Sequence, residues 1–338
     1  MQVTGLVWVI TIVVILGLFV FDFFAHVRTP HEPSFRESGF WSAVYIGIAL
    51  LFGGFVAWQW GGTYAGEYYA GFVTEKALSV DNLFVFLIIM STFAVPRKYQ
   101  QKVLLIGIVL ALVMRGGFIA VGAAAISAFS WVFYLFGAFL IYTAVKLLKD
   151  SGHEVEAEEK RDSMIVRLTK KVVPTTDEYH GDKLLARIDG RRVVTPMLLA
   201  LLAIGFADLL FALDSIPAIY GLTEQPYLVF TANAFALMGL RQLYFLIGGL
   251  LDRLVYLSYG LAAILAFIGI KLVLHALHEN TLPFVNGGEH VAVPEISTPL
   301  SLSVIIGILV VATVASLLRT RGSATPSAGA PESVDQPK

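Results

Sequence analysis

Apolar residues in this chain come in long unbroken runs, not at the spacing of a one-faced helix or a half-buried strand. The runs lie roughly at 3–25, 40–60, 65–95, 102–123, 127–148, 196–220, 228–249, 253–276 and 299–319. A helix needs about 20 apolar residues to cross the hydrocarbon core of a bilayer. The pattern therefore predicts an all-α polytopic membrane protein of about nine transmembrane helices. The third run is too long for a simple span and carries Glu67, Glu75, Lys76 and Asp81, so a broken or tilted helix is expected there. The first run has neither a basic leader nor a small-residue cleavage site, which predicts a retained span.

The polar stretches divide the chain. A two-helix segment over 1–60 precedes a three-helix unit over 61–148, a cytoplasmic loop over 149–195, a second three-helix unit over 196–276, an outer loop with the last helix over 277–320, and a tail over 321–338. The long loop mixes charges with a Pro174, Thr175, Thr176 break, and an amphipathic helix is expected near 163–172. The tail is rich in Ser, Ala, Pro and Gly, too poor in apolar surface to fold, and is expected to be disordered.

Basic residues set the orientation. Arg28 and Arg36 follow the first span, Arg97, Lys98 and Lys102 the third, nine Lys and Arg from Lys160 to Arg192 the fifth, Arg253 the seventh, and Arg319 and Arg321 the ninth. All fall on one side if the spans alternate. The opposite loops hold Glu224, Glu279, Glu289 and Glu295 with His278 and His290. The positive-inside rule then places the N-terminus outside and the C-terminus in the cytoplasm.

The polar positions also repeat. Glu75 and Asp81 match Asp208 and Asp214 at offsets of 208 − 75 = 133 and 214 − 81 = 133. Arg115 matches Arg241 and Lys146 matches Lys271, at offsets of 126 and 125. Each half is a three-helix unit, and an odd number of spans forces the second into the membrane upside down. Two inverted three-helix repeats typify secondary transporters, whose substrate sits near the midplane between them.

Ionisable groups inside spans cost about 2.5–3.5 kcal/mol each on insertion scales, which marks them as functional candidates. Glu75, Asp81, Asn82, Asp208, Asp214 and Ser215 are oxygen donors of the kind that suits hard cations such as Mg²⁺, Ca²⁺ and Mn²⁺, and a nitrogen ligand from the first span would favour Mn²⁺ over Ca²⁺. Residues six apart lie about 120° apart on a regular helix, so each acidic pair converges only if its helix unwinds. Pro217 gives the second pair a reason to unwind and to free carbonyls beside Asp214 and Ser215. Asp22 and His26, at i and i+4, share a face and supply a nitrogen ligand or a proton relay. Lys76, Arg115, Arg241 and Lys271 are expected to neutralise the acids and exchange partners during gating or proton coupling.

Composition narrows the classes. Charged residues are 14% of the 338 and apolar ones 57%, against about a quarter and about half in soluble domains, so the lipid bilayer is the expected surrounding. There is no cysteine, which excludes disulfides, thiolate metal sites and cysteine nucleophiles. The basic residues follow the membrane pattern and form no stripe for nucleic acid. Two buried aspartates on separate spans would also suit an intramembrane protease, but no glycine pair exposes Asp214 to a peptide, so no enzyme is expected and no resident cofactor.

The stretches EKALSVDNLFVF, FAVPRKYQQKVL, ALVMRGGFI, WVFYLFGAFLIYTAVKLL and ADLLFALDSIPAIYGLT, with FDFFAHVR and SFRES before them, resemble the TerC/Alx membrane proteins over most of 15–275. That resemblance implies manganese efflux from the bacterial inner membrane. It places the family's acidic motif positions on Glu75, Asp81, Asp208 and Asp214. Many members carry a further acid three residues before the first Asp of the second motif, where this chain has Gly205. A non-transporting scaffold for metal handling or tellurite resistance is the competing reading.

Overall fold

A computed structural model of the chain describes residues 1–27, 31–129, 131–150, 176, 178–179, 181–188, 191–247, 256–280, 293–294 and 296–322. The expected amphipathic helix near 163–172 and the tail beyond 322 lie outside the described residues.

The described chain is almost wholly helical. Helix α1 (Gly5–Asp22) is capped by Thr4 and continues into a π-helical turn over Phe23–Val27. Helix α2 (Phe35–Trp60) starts in a capping box, with Ser34 Oγ accepting from the Glu37 backbone and the Glu37 carboxylate accepting from the Ser34 backbone. Then come α3 (Gly62–Thr92), α4 (Arg97–Ala128) and α5 (Val132–Asp150). A hairpin of β1 (Leu185–Ile188) and β2 (Arg191–Val194) pairs Leu185 with Val194 and leads into α6 (Pro196–Tyr220). The sequence pattern gave no sign of this hairpin. It is tied down by Thr195, whose hydroxyl donates to the carbonyls of Lys183 and Leu184. Helices α7 (Pro226–Leu237), α8 (Leu240–Ile247), α9 (Leu257–Glu279) and α10 (Thr298–Gly322) complete the order.

Among the described residues, seven helices are long and apolar enough to cross a membrane: α1, α2, α4, α5, α6, α9 and α10. Large apolar side chains such as Leu51 and Trp58 point outward from α2, as lipid contact requires. The third span is not broken: α3 runs uninterrupted for 31 residues, about 46 Å at 1.5 Å per residue, which leaves the tilted of the two expected forms. The break falls in the seventh instead. There α7 stops at Leu237, Met238 is extended, Gly239 takes a φ of +73° that favours glycine, and α8 begins. The Lys76 ammonium supplies donors to the carbonyls of Ala236 and Met238 at 3.0 and 3.3 Å, groups that the helix end would otherwise leave unpaired. Pro217 does not unwind α6 either. It sits in the last turn, where the donor it lacks costs one bond to a carbonyl near the helix end, and the helix continues to Tyr220.

Helix contacts follow a reciprocal scheme. The most extensive pairings are α5 with α9, α3 with α7, and α4 with α6. At the α5–α9 crossing the two backbones touch: a Cβ on Gly137 would come within 2.8 Å of the Gly269 carbonyl, and a Cβ on Gly269 within 2.9 Å of the Gly137 carbonyl. Gly205 serves a similar end between α6 and α4, since a Cβ there would meet Leu110 Cδ2 at 2.9 Å. A larger side chain there would require the end of Leu110 to shift.

The loops gather at two ends. At one, the N-terminal ammonium meets the Tyr64 hydroxyl, Trp60 Nε1 donates to the Gln2 carbonyl, Thr223 Oγ1 donates to Glu67, and His275 Nε2 lies 3.0 Å from Glu224 Oε1. At the other, Lys102 pairs with Asp182 at 2.6 Å, Tyr179 donates to the Phe93 carbonyl, and Arg319 donates to Tyr256. The basic residues of the described loops lie at this second end.

Candidate functional site

Midway along α3, α4 and α6 three charged side chains meet out of contact with solvent or lipid. Glu75 and Arg115 are 0% exposed and Asp208 is 1% exposed. Arg115 Nε and Nη2 donate to the two oxygens of Asp208 at 3.2 and 2.9 Å, the two-pronged geometry in which guanidinium and carboxylate pair best. Nη1 donates to Glu75 Oε1 in a very short contact and to Ser215 Oγ at 3.2 Å. Two carboxyl groups face one guanidinium, so the trio carries a net charge of −1 when both are ionised and is neutral when one holds a proton. Such a grouping is costly to place in lipid and is held only because each charge has a partner. One carboxylate oxygen, Glu75 Oε2, has no hydrogen-bond partner.

The local sequence explains the convergence only in part. Arg115, at the centre, is the one long side chain able to reach both neighbouring helices. Asp208 and Ser215 are seven apart on α6 and share a face. Asp214, one residue off that face, does not join them. It points to α5, where Thr143 Oγ1 donates to its Oδ1 at 3.0 Å. The expected convergence of Asp208 and Asp214 therefore fails, because α6 stays helical between them. Asn82 is buried two turns beyond Glu75 on α3. The side chain of Asp81 lies outside the described residues. Among the described residues, no three His, Asp or Glu side chains gather as a ready-made metal centre.

The cations also divide. Arg115 pairs with both acids, Lys76 donates to the backbone break and lies within electrostatic reach of Glu75, and Lys271, half-buried on α9, lies within electrostatic reach of Glu67. Arg241 belongs to a second cluster nearer the basic end. Its Nη2 donates to Asp22 Oδ1 at 2.8 Å, and Nη1 donates to Gln101 Oε1. The same Asp22 oxygen accepts from Tyr45 at 2.6 Å and from Gln242 at 3.0 Å, with His26 Nδ1 3.3 Å away. A small cavity lined by His26, Glu37, Ser38, Gln101 and Arg241 opens beside it. The π-helical turn after Asp22 positions His26 here.

Outside the membrane-spanning helices, the Lys102 hydrogen bond holds the Asp182 carboxyl below its usual range, and the hydrogen bond from His275 does the same for Glu224. Sequence reasoning passed over Tyr45, Gln101, Gln242 and Thr143, whose roles depend on partners far along the chain. It also passed over Asn233, for which a signal existed: an isolated amide in the otherwise apolar run of α7.

A model of the family described as Integral membrane protein TerC family matches residues 60–324. An uncharacterized membrane protein of Mycobacterium tuberculosis is 54% identical over 325 residues, covering 96% of this chain and 82% of that protein. An uncharacterized membrane protein of Myxococcus xanthus is 38% identical over 325 residues, 96% of each. A protein of Photorhabdus laumondii named putative membrane-bound redox modulator Alx is 39% identical over 251 residues, 71% of this chain and 77% of that one. No solved structure matches.

Proposed function

The chain belongs to the TerC family of integral membrane proteins, and from that premise we propose that it is a secondary transporter that exports a divalent cation, Mn²⁺ ahead of Ca²⁺, across the bacterial inner membrane by proton antiport. The observation that carries this reading is the buried cluster of Glu75 and Asp208 around Arg115, which sets two carboxyl groups against one guanidinium out of contact with solvent, an excess of one negative charge when both are ionised. A hard cation compensates that excess, and the same carboxylates take protons when the cation leaves. The substrate ion competes with the guanidinium for Glu75, so binding and partner exchange by Arg115 are one event. On this reading the chain is no enzyme; it moves its substrate without changing it.

The reciprocal helix contacts support two inverted repeats. Exchanging α3 with α6, α4 with α7–α8, and α5 with α9 turns the α3–α7 contact into the α4–α6 contact and maps the α5–α9 contact onto itself. With α3 and the split α7–α8 pair added to the seven apolar helices, nine crossings result, and the basic end is then cytoplasmic by the positive-inside rule. Alternating access would rock one trio against the other about that axis.

Mn²⁺ flux in proteoliposomes tests the reading. Wild-type protein is expected to carry Mn²⁺ down an imposed proton gradient, and a Glu75→Gln, Asp208→Asn double variant to carry none. Normal flux in the double variant overturns the site. The name redox modulator given to the Photorhabdus relative favours a second reading, a non-transporting scaffold. With no cysteine in this chain, a redox role here would not run through its own thiols. Deleting 151–175 separates the two, since flux that survives the deletion argues against recruitment of partners through the loop.

A further inference from the structure

Asn233 is 0% exposed, and neither its amide nitrogen nor its amide oxygen has a hydrogen-bond partner. Burying an amide unpaired costs about 1–3 kcal/mol on mutational scales, and such groups in folded proteins call for a specific explanation. The helix lattice says where this amide points. One residue before it, Ala232 packs against Gly71 of α3, and three residues after it the Ala236 carbonyl receives the Lys76 ammonium. Those positions fix the side of α7 that faces α3. Four residues before it, Val229 shares a buried cluster with Ile119 of α4 and with Ile216 and Ile219 of α6. Asn233 lies on that same face, one turn on.

Helices α4 and α6 run side by side in the same direction: Gly107 packs against Ile204, and the Tyr220 hydroxyl donates to the Ile119 carbonyl. Helix α7 follows α6 through a short turn and runs the opposite way. One turn deeper from the Val229 cluster therefore adds four on α7 and subtracts four on α4 and α6. The residues reached from Val229, Ile119, Ile219 and Ile216 are Asn233, Arg115, Ser215 and Ala212. Arg115 and Ser215 are indeed in contact, at 3.2 Å, which checks the construction. Asn233 thus projects into the wedge between α3, α4 and α6 that holds the Arg115 cluster, where Glu75 Oε2 also lacks a partner.

We propose that the side-chain carbonyl of Asn233 is a ligand of the transported divalent cation, acting with Glu75 Oε2 on the α7 side of Arg115. This rests on the export reading and adds a ligand from the broken span, which that reading did not include. An amide oxygen is a hard, neutral donor suited to Mn²⁺ or Ca²⁺. Being neutral, it raises the number of ligands without adding a third buried negative charge that the cation-free state would have to hold. The position also couples binding to motion: Asn233 stands five residues before the break at Met238 and Gly239, so a cation drawn to it pulls on the half-helix that ends there.

The test uses purified full-length protein with MnCl₂ as the probe. Asn233→Leu keeps the volume and removes the oxygen, and Asn233→Asp keeps an oxygen in place. Without metal, the Leu variant is expected to melt at or above the wild-type temperature, since an unpaired amide has been removed. Its Mn²⁺-induced rise in melting temperature should vanish, and its KM for Mn²⁺ flux should rise about tenfold or more. The Asp variant should keep the Mn²⁺-induced rise. A Leu variant with wild-type KM and wild-type thermal response to Mn²⁺ overturns the proposal and leaves the amide to a buried water. Asn233→Ser gives the same two readouts if the Leu variant is not recovered folded. Wild-type protein that neither carries Mn²⁺ nor melts higher in its presence sinks the export reading itself, a different outcome.

Discussion

Arg115 and Arg241 occupy matching positions in the proposed repeat, 241 − 115 = 126 residues apart, and both are buried on carboxylates, yet their surroundings differ in charge. Arg115 faces two acids, Glu75 and Asp208, one more than it can balance when both are ionised, and Glu75 Oε2 is without a hydrogen-bond partner. Arg241 faces one acid, Asp22; Gln101 accepts a second bond from it, and Tyr45 and Gln242 donate to Asp22, with His26 3.3 Å from the same oxygen. The one carboxylate is shared among these partners and has no second acid beside it on Arg241. This cluster is suited to holding α1, α2, α4 and α8 together at the basic end, and to letting go when the balance changes. The same side chain at equivalent positions thus lies in the proposed binding site in one half and in a helix-to-helix clasp in the other.

The largest effect expected from breaking this contrast is at Arg115. Arg115→Met strands two buried carboxylates, and stability should fall by about 3–5 kcal/mol, read as a collapse of the thermal melt in detergent. Adding Glu75→Gln and Asp208→Asn to that variant should restore the melt, because no unpaired charge remains; a melt that stays low would mean Arg115 matters for packing alone. Asp22→Asn comes next. It leaves Arg241 with neutral acceptors only and should cost about 2 kcal/mol, lowering the rate of Mn²⁺ transport while its KM stays at the wild-type value. A KM rise like that of a Glu75 variant would erase the distinction between site and clasp.

The exposed Lys102–Asp182 pair gives the smallest effect and a control for both. The folded-state pKa of Asp182 is depressed, so its contribution is present above the unfolded carboxylate range near pH 4 and disappears as pH falls through the lower folded value. Between pH 5 and 8 the melt of Asp182→Asn should track wild type at a constant offset of about 0–1 kcal/mol. An offset that varies strongly within that window would show that the buried clusters, and not this pair, dominate the pH response.

Glu75, Asp208, Arg115 and Ser215 were legible as candidates before any coordinates, since an ionisable or hydroxyl group in an apolar run stands out by its cost. Their grouping was not. The sequence pattern put Asp214 with Asp208, but a continuous α6 turns them about 120° apart and sends Asp214 to Thr143. It put the break in the charged third run, because charges seemed to need unwound backbone. In the fold, α3 keeps its charges by pairing Glu75 with Arg115 and lending Lys76 to a neighbour's broken end.

Hydropathy runs, the one-sided distribution of basic residues and the spacing of polar intruders were enough to establish a helical membrane protein and to say which side chains are too expensive to be idle. These are local properties, set by the price of moving each group out of water. Which acid faces which base, and that Gly137 and Gly269 are needed for the backbones of α5 and α9 to touch, were decided by helix packing. Those relations join residues up to 219 positions apart, as Asp22 and Arg241 are. A partner's direction depends on the rotation of two helices about their axes, which no single run of sequence encodes.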